Sequence, residues 1–140
     1  MPILLIIVFG IIQYGFYFWA MQGGSDIARD AARMAAVGEP AHCTGVVDGQ
    51  EGFVDKIKDE VDKLPGTSSV IVKRTYASST SPDPTPDEVQ VNDEVTVTVS
   101  FNSIDLHIPL VPHIKDGKVS STAQARVEYV PDPDELGDCT

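Results

Sequence analysis

The first 25 residues of this 140-residue chain contain no charged side chain. An apolar run of this length has no place in a soluble core, and about 20 apolar residues suffice to cross the ~30 Å hydrocarbon core of a bilayer. A cleaved secretory signal would need Lys or Arg before the run and an A-x-A-like site after it. No basic residue precedes the run, and Phe18-Trp19-Ala20 fits such a site poorly. The absence of charge therefore predicts a membrane-spanning helix.

Basic residues are scarce in the remainder of the chain. Lys and Arg number 10 against 21 Asp and Glu, which gives a formal net charge of −11, and all of this charge follows Ser25. Binding to nucleic acid requires a basic patch on the protein, but Lys and Arg are scattered here. We therefore expect no nucleic-acid partner, and the acidity favours solubility outside the cell.

Recognisable catalytic and cofactor motifs are also lacking. The three histidines, His42, His107 and His113, have no metal-ligand spacing, and no Gly-rich phosphate loop or nucleophile elbow occurs. Acidic residues crowd the carboxyl end without the EF-hand pattern that calcium sites use; they are Asp132, Asp134, Glu135 and Asp138. We expect no metal, no cofactor and no enzymatic activity, since an anchored enzyme would need these groups to converge in a cleft.

Only two cysteines are present, Cys43 and Cys139. Their wide separation has none of the C-x-x-C spacing of redox or zinc sites. In an oxidising compartment a disulfide closing a loop of about 100 residues stabilises a domain by up to about 4.7 kcal/mol in the chain-entropy model. We expect this disulfide; the alternative is two unpaired buried thiols.

The amino-terminal apolar run continues into an alanine-rich segment of helical period. Pro2 suits a first helical turn, and Gly38 and Pro40 end the pattern, so residues 1–37 predict one helix about 55 Å long. Its first half is apolar all round, which predicts burial in lipid or among other helices. The expected assembly residues of this helix are Leu4, Leu5, Ile7, Val8, Ile11, Ile12, Gln13, Phe16, Trp19, Ala28, Ala32 and Ala35.

Two features of this helix leave alternatives open. The alanine face requires a close neighbour, which is the chain's own sheet, the helix of another subunit, or both at different depths. Gln13 is the one amide in the apolar stretch. It either forms an interhelical hydrogen bond or is a tolerated polar group.

The remaining residues predict a small α+β domain. Apolar positions from Phe53 to Leu64 recur at helical spacing, which predicts a short amphipathic helix ending at Pro65-Gly66. Alternating residues then predict three strands of an antiparallel sheet, with a shorter strand at 104–110. Their dry faces are Val70, Val72 and Tyr76; Val95, Val97, Val99 and Phe101; and Val119, Ala123, Ala125, Val127 and Tyr129. The helices should cover this dry side of the sheet.

The segment 77–92 between the first two strands is rich in Ser, Thr and Pro. It predicts an exposed, extended loop, and its composition also makes it a candidate for O-linked sugar. The candidate acceptors are Ser79, Thr80, Ser81 and Thr85.

An apolar helix that continues into an external domain and packs on a small sheet resembles the type IV pilin class. More narrowly, the opening residues MPILLIIVFGIIQYG resemble those of TadE-like pseudopilins of tight-adherence (Tad) systems, in which a proline-led apolar run precedes F-G-I-I-E-F-G. The stretch DAARMAA at 30–36 is similar to the A-A-R-x-A-A of that family, and 95–128 resembles its carboxyl-terminal region. Gln13 replaces a frequent Glu, and Leu5 stands where the processed pilins have Glu. We expect either trimming before Met1 or processing that differs from the type IV pattern.

The resemblance implies a structural subunit that polymerises through its apolar helix into an extracellular pilus. It implies residence in the membrane before assembly, with the carboxyl-terminal domain outside, and partners in a prepilin peptidase and a pilus assembly machinery. We expect residues 1–39 to form the membrane and filament-core helix and residues 40–140 the extracellular domain. The alternative is a membrane-anchored minor pseudopilin or binding module that primes or tips such an assembly.

Overall fold

The structure, a computed structural model, describes residues 2–78, 88–104, 117–131 and 139. Its α-helices are α1 (Pro2–Ala36) and α2 (Phe53–Asp62). Its strands are β1 (Val46–Val47), β2 (Gln50–Glu51), β3 (Ser68–Ala77), β4 (Glu94–Asn102) and β5 (Lys118–Arg126). The predicted α+β class is confirmed, with a long apolar helix, a small antiparallel sheet and one further short helix.

Helix α1 is continuous over 35 residues and ends close to the predicted position. Gly38 adopts a φ of 71°, in the left-handed region that glycine tolerates best. Its N–H donates to the carbonyl of Ala35 at 3.2 Å, and that of Glu39 donates to the carbonyl of Met34 at 3.2 Å. This pair of bonds is the Schellman arrangement, which satisfies the last carbonyls of a helix.

The main sheet has the order β3-β4-β5, and both pairings are antiparallel. Val72 pairs with Val99 and Val99 with Ser121, so these three residues share the face that packs against the helices. The opposite face is polar and exposed. On it, hydroxyl pairs form between Thr98 and Thr122 at 3.1 Å and between Ser100 and Ser120 at 2.9 Å.

The second half of α1 lies across β4 and β5. Ala28, Ala32 and Ala35 are buried in this contact, together with Ala31 and Ala36. Small side chains allow the helix to approach the valine rows of the sheet closely. The neighbour of the alanine face is therefore the chain's own sheet.

Helix α2 runs back alongside α1 towards its apolar half. The N–H groups of Phe53 and Val54 donate to the carbonyls of His42 and Cys43 at 2.9 and 2.8 Å, which fixes the start of α2 beyond the end of α1. Further along, Leu64 packs against Gly23 of α1. The buried side chains of α2 are Phe53, Val54, Ile57 and Val61.

The structure departs from the sequence-based expectations at two described places. The predicted loop 41–50 contains a small hairpin, in which Val46 pairs with Glu51 and Val47 with Gln50. Tyr129, expected on the dry face, lies past the end of β5 and is mostly exposed. The expected short strand lies outside the described residues apart from Ile104, as does most of the loop at 77–92.

Candidate assembly site

The first half of α1 is an apolar surface that its own domain leaves open. Ile3 is 73% exposed and Ile11 is 69% exposed. From Ile3 to Met21 the helix carries no charge and is about 28 Å long at 1.5 Å per residue, close to the thickness of a bilayer core. The most apolar 18-residue window of this helix has a mean hydropathy of 2.0, and only 11% of that window is buried within the molecule, unlike the core helix of a soluble protein.

One face of this apolar half is nevertheless covered. Gln13 is only 2% exposed, although both of its neighbours along the chain are exposed. Tyr17 is partly buried against the core and Ala20 is buried. Residues at positions i, i+4 and i+7 lie on one face of a helix, so Gln13 begins the stripe that continues through Gly24 and Ala28. Gln13 thus lies on the face of α1 that leads to its own domain.

The predicted assembly residues other than the buried Gln13 separate into two groups. The large apolar members are exposed along α1; they are Leu4, Leu5, Ile7, Val8, Ile11, Ile12, Phe16 and Trp19. The three alanines are buried within the chain's own domain. Of the predicted assembly residues, only the large apolar group is therefore exposed to another molecule.

The first charged residues of α1 follow the exposed apolar surface of its first half. Arg29 Nη1 lies 3.4 Å from Asp26 Oδ1, and Arg33 Nη1 lies 3.9 Å from Asp30 Oδ1. All four side chains are exposed, and such pairs contribute only about 0.3–0.5 kcal/mol. These charges mark the end of the helix segment that can lie in a membrane, because charged side chains are costly to bury in lipid and the uncharged run ends before Asp26.

Arg74 is a buried residue on the dry face of β3 that sequence analysis missed. Its Nη2 donates to the carbonyl of Ala41 at 2.9 Å, and its Nη1 donates to that of Pro40 at 3.4 Å. Its guanidinium also lies 4.7 Å from the centroid of the Phe53 ring, a cation–π geometry. The backbone N–H of Arg74 donates to the carbonyl of Cys139 at 2.9 Å. Arg74 therefore ties the loop after α1, the start of α2 and the carboxyl end to the sheet.

Tyr76 lies beside Arg74, whose guanidinium is 5.7 Å from the centroid of the Tyr76 ring. Burial raises the pKa of the Tyr76 phenol above its usual value, and the nearby positive charge of Arg74 partly opposes that rise. A disulfide joins Cys43 to Cys139, with 5.4 Å between their Cα atoms. The two ends of the segment 43–139 are thereby held together beside Arg74.

The described residues include few of the candidate catalytic and metal-binding groups named from the sequence. In the part of the chain that the structure describes, no group of three or more His, Cys, Asp or Glu side chains is placed to hold a metal ion. His42 is engaged locally, since its Nε2 hydrogen-bonds the carbonyl of Gln50 at 3.2 Å. Other candidates named from the sequence lie outside the described residues; they are His107, His113, Asp132, Asp134, Glu135, Asp138, Ser79, Thr80, Ser81 and Thr85.

Comparison with known proteins gives a match for the amino-terminal segment. Residues 1–33 match the family model described as TadE-like protein. The matched segment covers the exposed apolar half of α1 and the start of its alanine face. The TadE-like resemblance of the amino-terminal segment is thus confirmed. No curated protein and no solved structure matches the chain. The match suggests a Tad pilus-associated protein, and with the apolar helix it fits a membrane-anchored, surface-exposed one.

Proposed function

We propose that the chain is a structural, pilin-like subunit that polymerises through residues 3–21 of α1 into an extracellular filament. The observation that carries this proposal is the division of α1 into two halves. The second half is held on its own sheet by buried alanines, whereas the first half exposes large apolar side chains along about 28 Å of helix. The folded domain thus presents residues 3–21 of α1 as an apolar rod, and this rod must be covered by lipid or by another molecule.

The apolar rod can be covered by lipid or by the helices of other subunits, and we propose that it passes from the first environment to the second. Lipid tails and the helices of other subunits are similarly apolar, so moving the rod from one to the other is nearly neutral in hydrophobic terms. Closer packing between helices adds dispersion contacts in the assembled state. The rod therefore serves as a membrane anchor before assembly and as the filament core afterwards.

This function assigns a place to each part of the chain. Residues 1–39 form the membrane and filament-core helix, and residues 40–140 form the domain that surrounds the core outside the cell. The disulfide between Cys43 and Cys139 suits an oxidising, external location. The TadE-like match supports a structural role over an enzymatic one, and we infer a pilus assembly machinery and a prepilin peptidase as partners from the same resemblance.

The test is electron cryo-microscopy of fibres sheared from cells that produce the full chain. We expect the chain to be the main component of the fibres, with copies of α1 bundled along the axis. A chain that stays monomeric in detergent and never enters fibres would contradict the proposal. Trace amounts in fibres that are lost on deletion of the chain would instead identify the minor, priming pseudopilin.

A pair of variants separates the apolar rod from general surface effects. Ile11→Ser removes an exposed apolar side chain from the rod, and Ile71→Ser removes one that is 60% exposed on the polar face of the sheet. Both variants should remain in the membrane fraction, because one serine does not prevent insertion of an otherwise apolar helix. Only Ile11→Ser should lower the yield of fibres, measured by quantitative blotting of the sheared fraction.

A further inference from the structure

Arg74 contacts both of the segments that carry the cysteines. Its backbone N–H donates to the carbonyl of Cys139 at 2.9 Å. Its side chain extends to the other segment, where Nη2 donates to the carbonyl of Ala41 at 2.9 Å and lies 3.9 Å from Sγ of Cys43. The two cysteines are separated by 96 residues in the sequence, yet their Cα atoms are 5.4 Å apart. One residue of β3 therefore holds both partners of the disulfide.

Main-chain hydrogen bonds hold Cys43 independently of the sulfur–sulfur bond. The N–H of Val54 donates to the carbonyl of Cys43 at 2.8 Å, and the N–H of Phe53 donates to that of His42 at 2.9 Å. The carboxyl-terminal cysteine is held by the backbone N–H described above. These bonds do not require the disulfide, so they keep the two cysteines close when both are thiols. Groups that a fold holds close together react as if at a high effective concentration.

The two cysteines differ in their access to solvent. Cys139 is 3% exposed, whereas Cys43 is partly buried and is followed by the exposed residues Thr44 and Gly45. The rate of thiol–disulfide exchange depends on the access of a reagent to the sulfur atom. A reagent that approaches from solvent therefore reaches Cys43 more readily than Cys139.

The charge of Arg74 also distinguishes Cys43. The carbonyls of Pro40 and Ala41 orient the guanidinium, which keeps it beside the Cys43 sulfur whether or not the disulfide is present. A positive charge next to a thiol favours the thiolate, which is the nucleophile in disulfide exchange. Arg74 is only 2% exposed, and a charge shielded from water acts more strongly on its neighbours.

The other described titratable groups around Cys43 interact elsewhere. Asp55 of α2 accepts a backbone N–H at 2.7 Å, and His42 of the same loop hydrogen-bonds a backbone carbonyl at 3.2 Å. Tyr76 of β3 is neutral at neutral pH, because burial raises the pKa of its phenol. Arg74 is thus the charged group that the described structure places in contact with the Cys43 sulfur.

We propose that Cys43 is the site at which a disulfide-bearing oxidant attaches to the reduced chain, and that Arg74 positions Cys43 and Cys139 for closure of the disulfide. The Cys43 thiolate attacks the oxidant R–S–S–R, which forms Cys43–S–S–R and releases RS⁻. Cys139 then loses its proton and attacks Sγ of Cys43, which forms the Cys43–Cys139 bond and releases a second RS⁻. Two thiols are oxidised, one disulfide is reduced, and the two released RS⁻ groups take up the two protons that the cysteines lost. This maturation step does not depend on polymerisation.

The site of attachment is tested with glutathione disulfide and two single-cysteine forms of the full chain in detergent. Cys139→Ser leaves Cys43, and Cys43→Ser leaves Cys139. We expect Cys139→Ser to form the mixed disulfide at least about tenfold faster than Cys43→Ser, measured by mass spectrometry of quenched samples. The difference should vanish in urea, where the fold no longer separates the two thiols. Equal rates without urea, or faster reaction of Cys139, would overturn the proposal.

The role of Arg74 is tested in the Cys139→Ser chain by the pH at which alkylation of Cys43 reaches half its maximum rate. Arg74→Met should raise this pH, and Arg74→Lys should restore part of the change because it retains a positive charge. Lys73→Met removes an exposed charge from the opposite face of β3 and should leave the pH unchanged. An unchanged value in Arg74→Met would show that the guanidinium does not act on the Cys43 thiol.

Closure is tested in the chain with both cysteines by its equilibrium with glutathione. We expect Arg74→Met to lower the equilibrium constant for disulfide formation at least about tenfold, which corresponds to a reduction potential about 30 mV less negative. Gly24→Ala is the control for a general loss of stability, since it disturbs the contact with Phe101 and leaves the contacts of Arg74 in place. If Gly24→Ala lowers the constant as much as Arg74→Met, the effect follows stability alone and Arg74 does not position the cysteines.

Discussion

Gly24 of α1 lies directly against the ring of Phe101 in β4. A Cβ atom built at position 24 would lie 2.9 Å from Cε1 of Phe101 and 3.3 Å from Oγ of Ser121. The Phe101 ring is buried and cannot swing away into solvent. This glycine therefore sets how closely the helix approaches the sheet at the point where its exposed half begins.

Gly24→Ala should destabilise the domain because the added methyl group overpacks this contact. Overpacking costs about 1–3 kcal/mol, and the gain in helix propensity returns about 1 kcal/mol, so we expect a net loss of up to about 2 kcal/mol. Gly10→Ala is the matched control, since nothing lies within 4 Å of a Cβ built there. Urea unfolding of the full chain in detergent, followed by circular dichroism, measures both. A Gly24→Ala chain as stable as the control would show that the helix does not approach the sheet this closely.

Arg74→Met should lower the free energy of unfolding by roughly 2–4 kcal/mol, because it leaves the buried carbonyl of Pro40 and the partly buried carbonyl of Ala41 without this donor and removes the stacking on Phe53. Arg74→Lys should recover only part of this loss, since one ammonium group cannot reproduce the planar fork of the guanidinium. Lys73→Met, at the exposed neighbouring position, should stay within about 0.5 kcal/mol of wild type. Full recovery by Arg74→Lys would mean that charge alone matters at this site.

The long elements were predictable because their patterns are strong and local. The uncharged run and the helical spacing of the alanines predict α1. Strict alternation predicts β4, in which one face carries Val95, Val97, Val99 and Phe101 and the other carries Thr96, Thr98 and Ser100. The hairpin was missed because each of its strands has only two residues, too few for alternation to register. The turn Asp48-Gly49 was the available signal, since this dipeptide is common in tight hairpins.

Other features depend on partners that are distant in sequence. Arg74 has the same parity as Val72 and Tyr76, so alternation places it on the dry face. A buried arginine nevertheless needs acceptors, and these are supplied by Pro40 and Ala41, more than 30 residues earlier. The alanine face could not be assigned from the sequence either, because small residues suit the chain's own sheet as well as a neighbouring helix.

The partly buried phenol of Tyr76 should make stability fall at alkaline pH. Because burial raises its pKa in the folded state above the usual value of 10.0, the neutral form is favoured by folding. This contribution is fully present below pH 10 and is lost as pH rises through the folded-state pKa. Tyr76→Phe should therefore show a smaller loss of unfolding free energy between about pH 9 and 11.5 than wild type. Tyr129→Phe, at an exposed position, is the matched loss of one phenol, and a Tyr76→Phe profile that matches it would contradict the assignment.

Ala32→Leu should disturb the fold before it disturbs assembly. Ala32 is buried where α1 crosses the sheet, and a leucine there would push the helix away from the valine rows, at a cost of about 1–3 kcal/mol. We therefore expect fewer fibres from Ala32→Leu because less of the chain is correctly folded, with a parallel drop in unfolding free energy in detergent. Arg33→Leu, one position along on the exposed side of α1, should leave that free energy nearly unchanged. If Ala32→Leu instead folds as stably as wild type but assembles poorly, the alanine face contacts a second subunit, and the two halves of α1 do not divide their roles as proposed here.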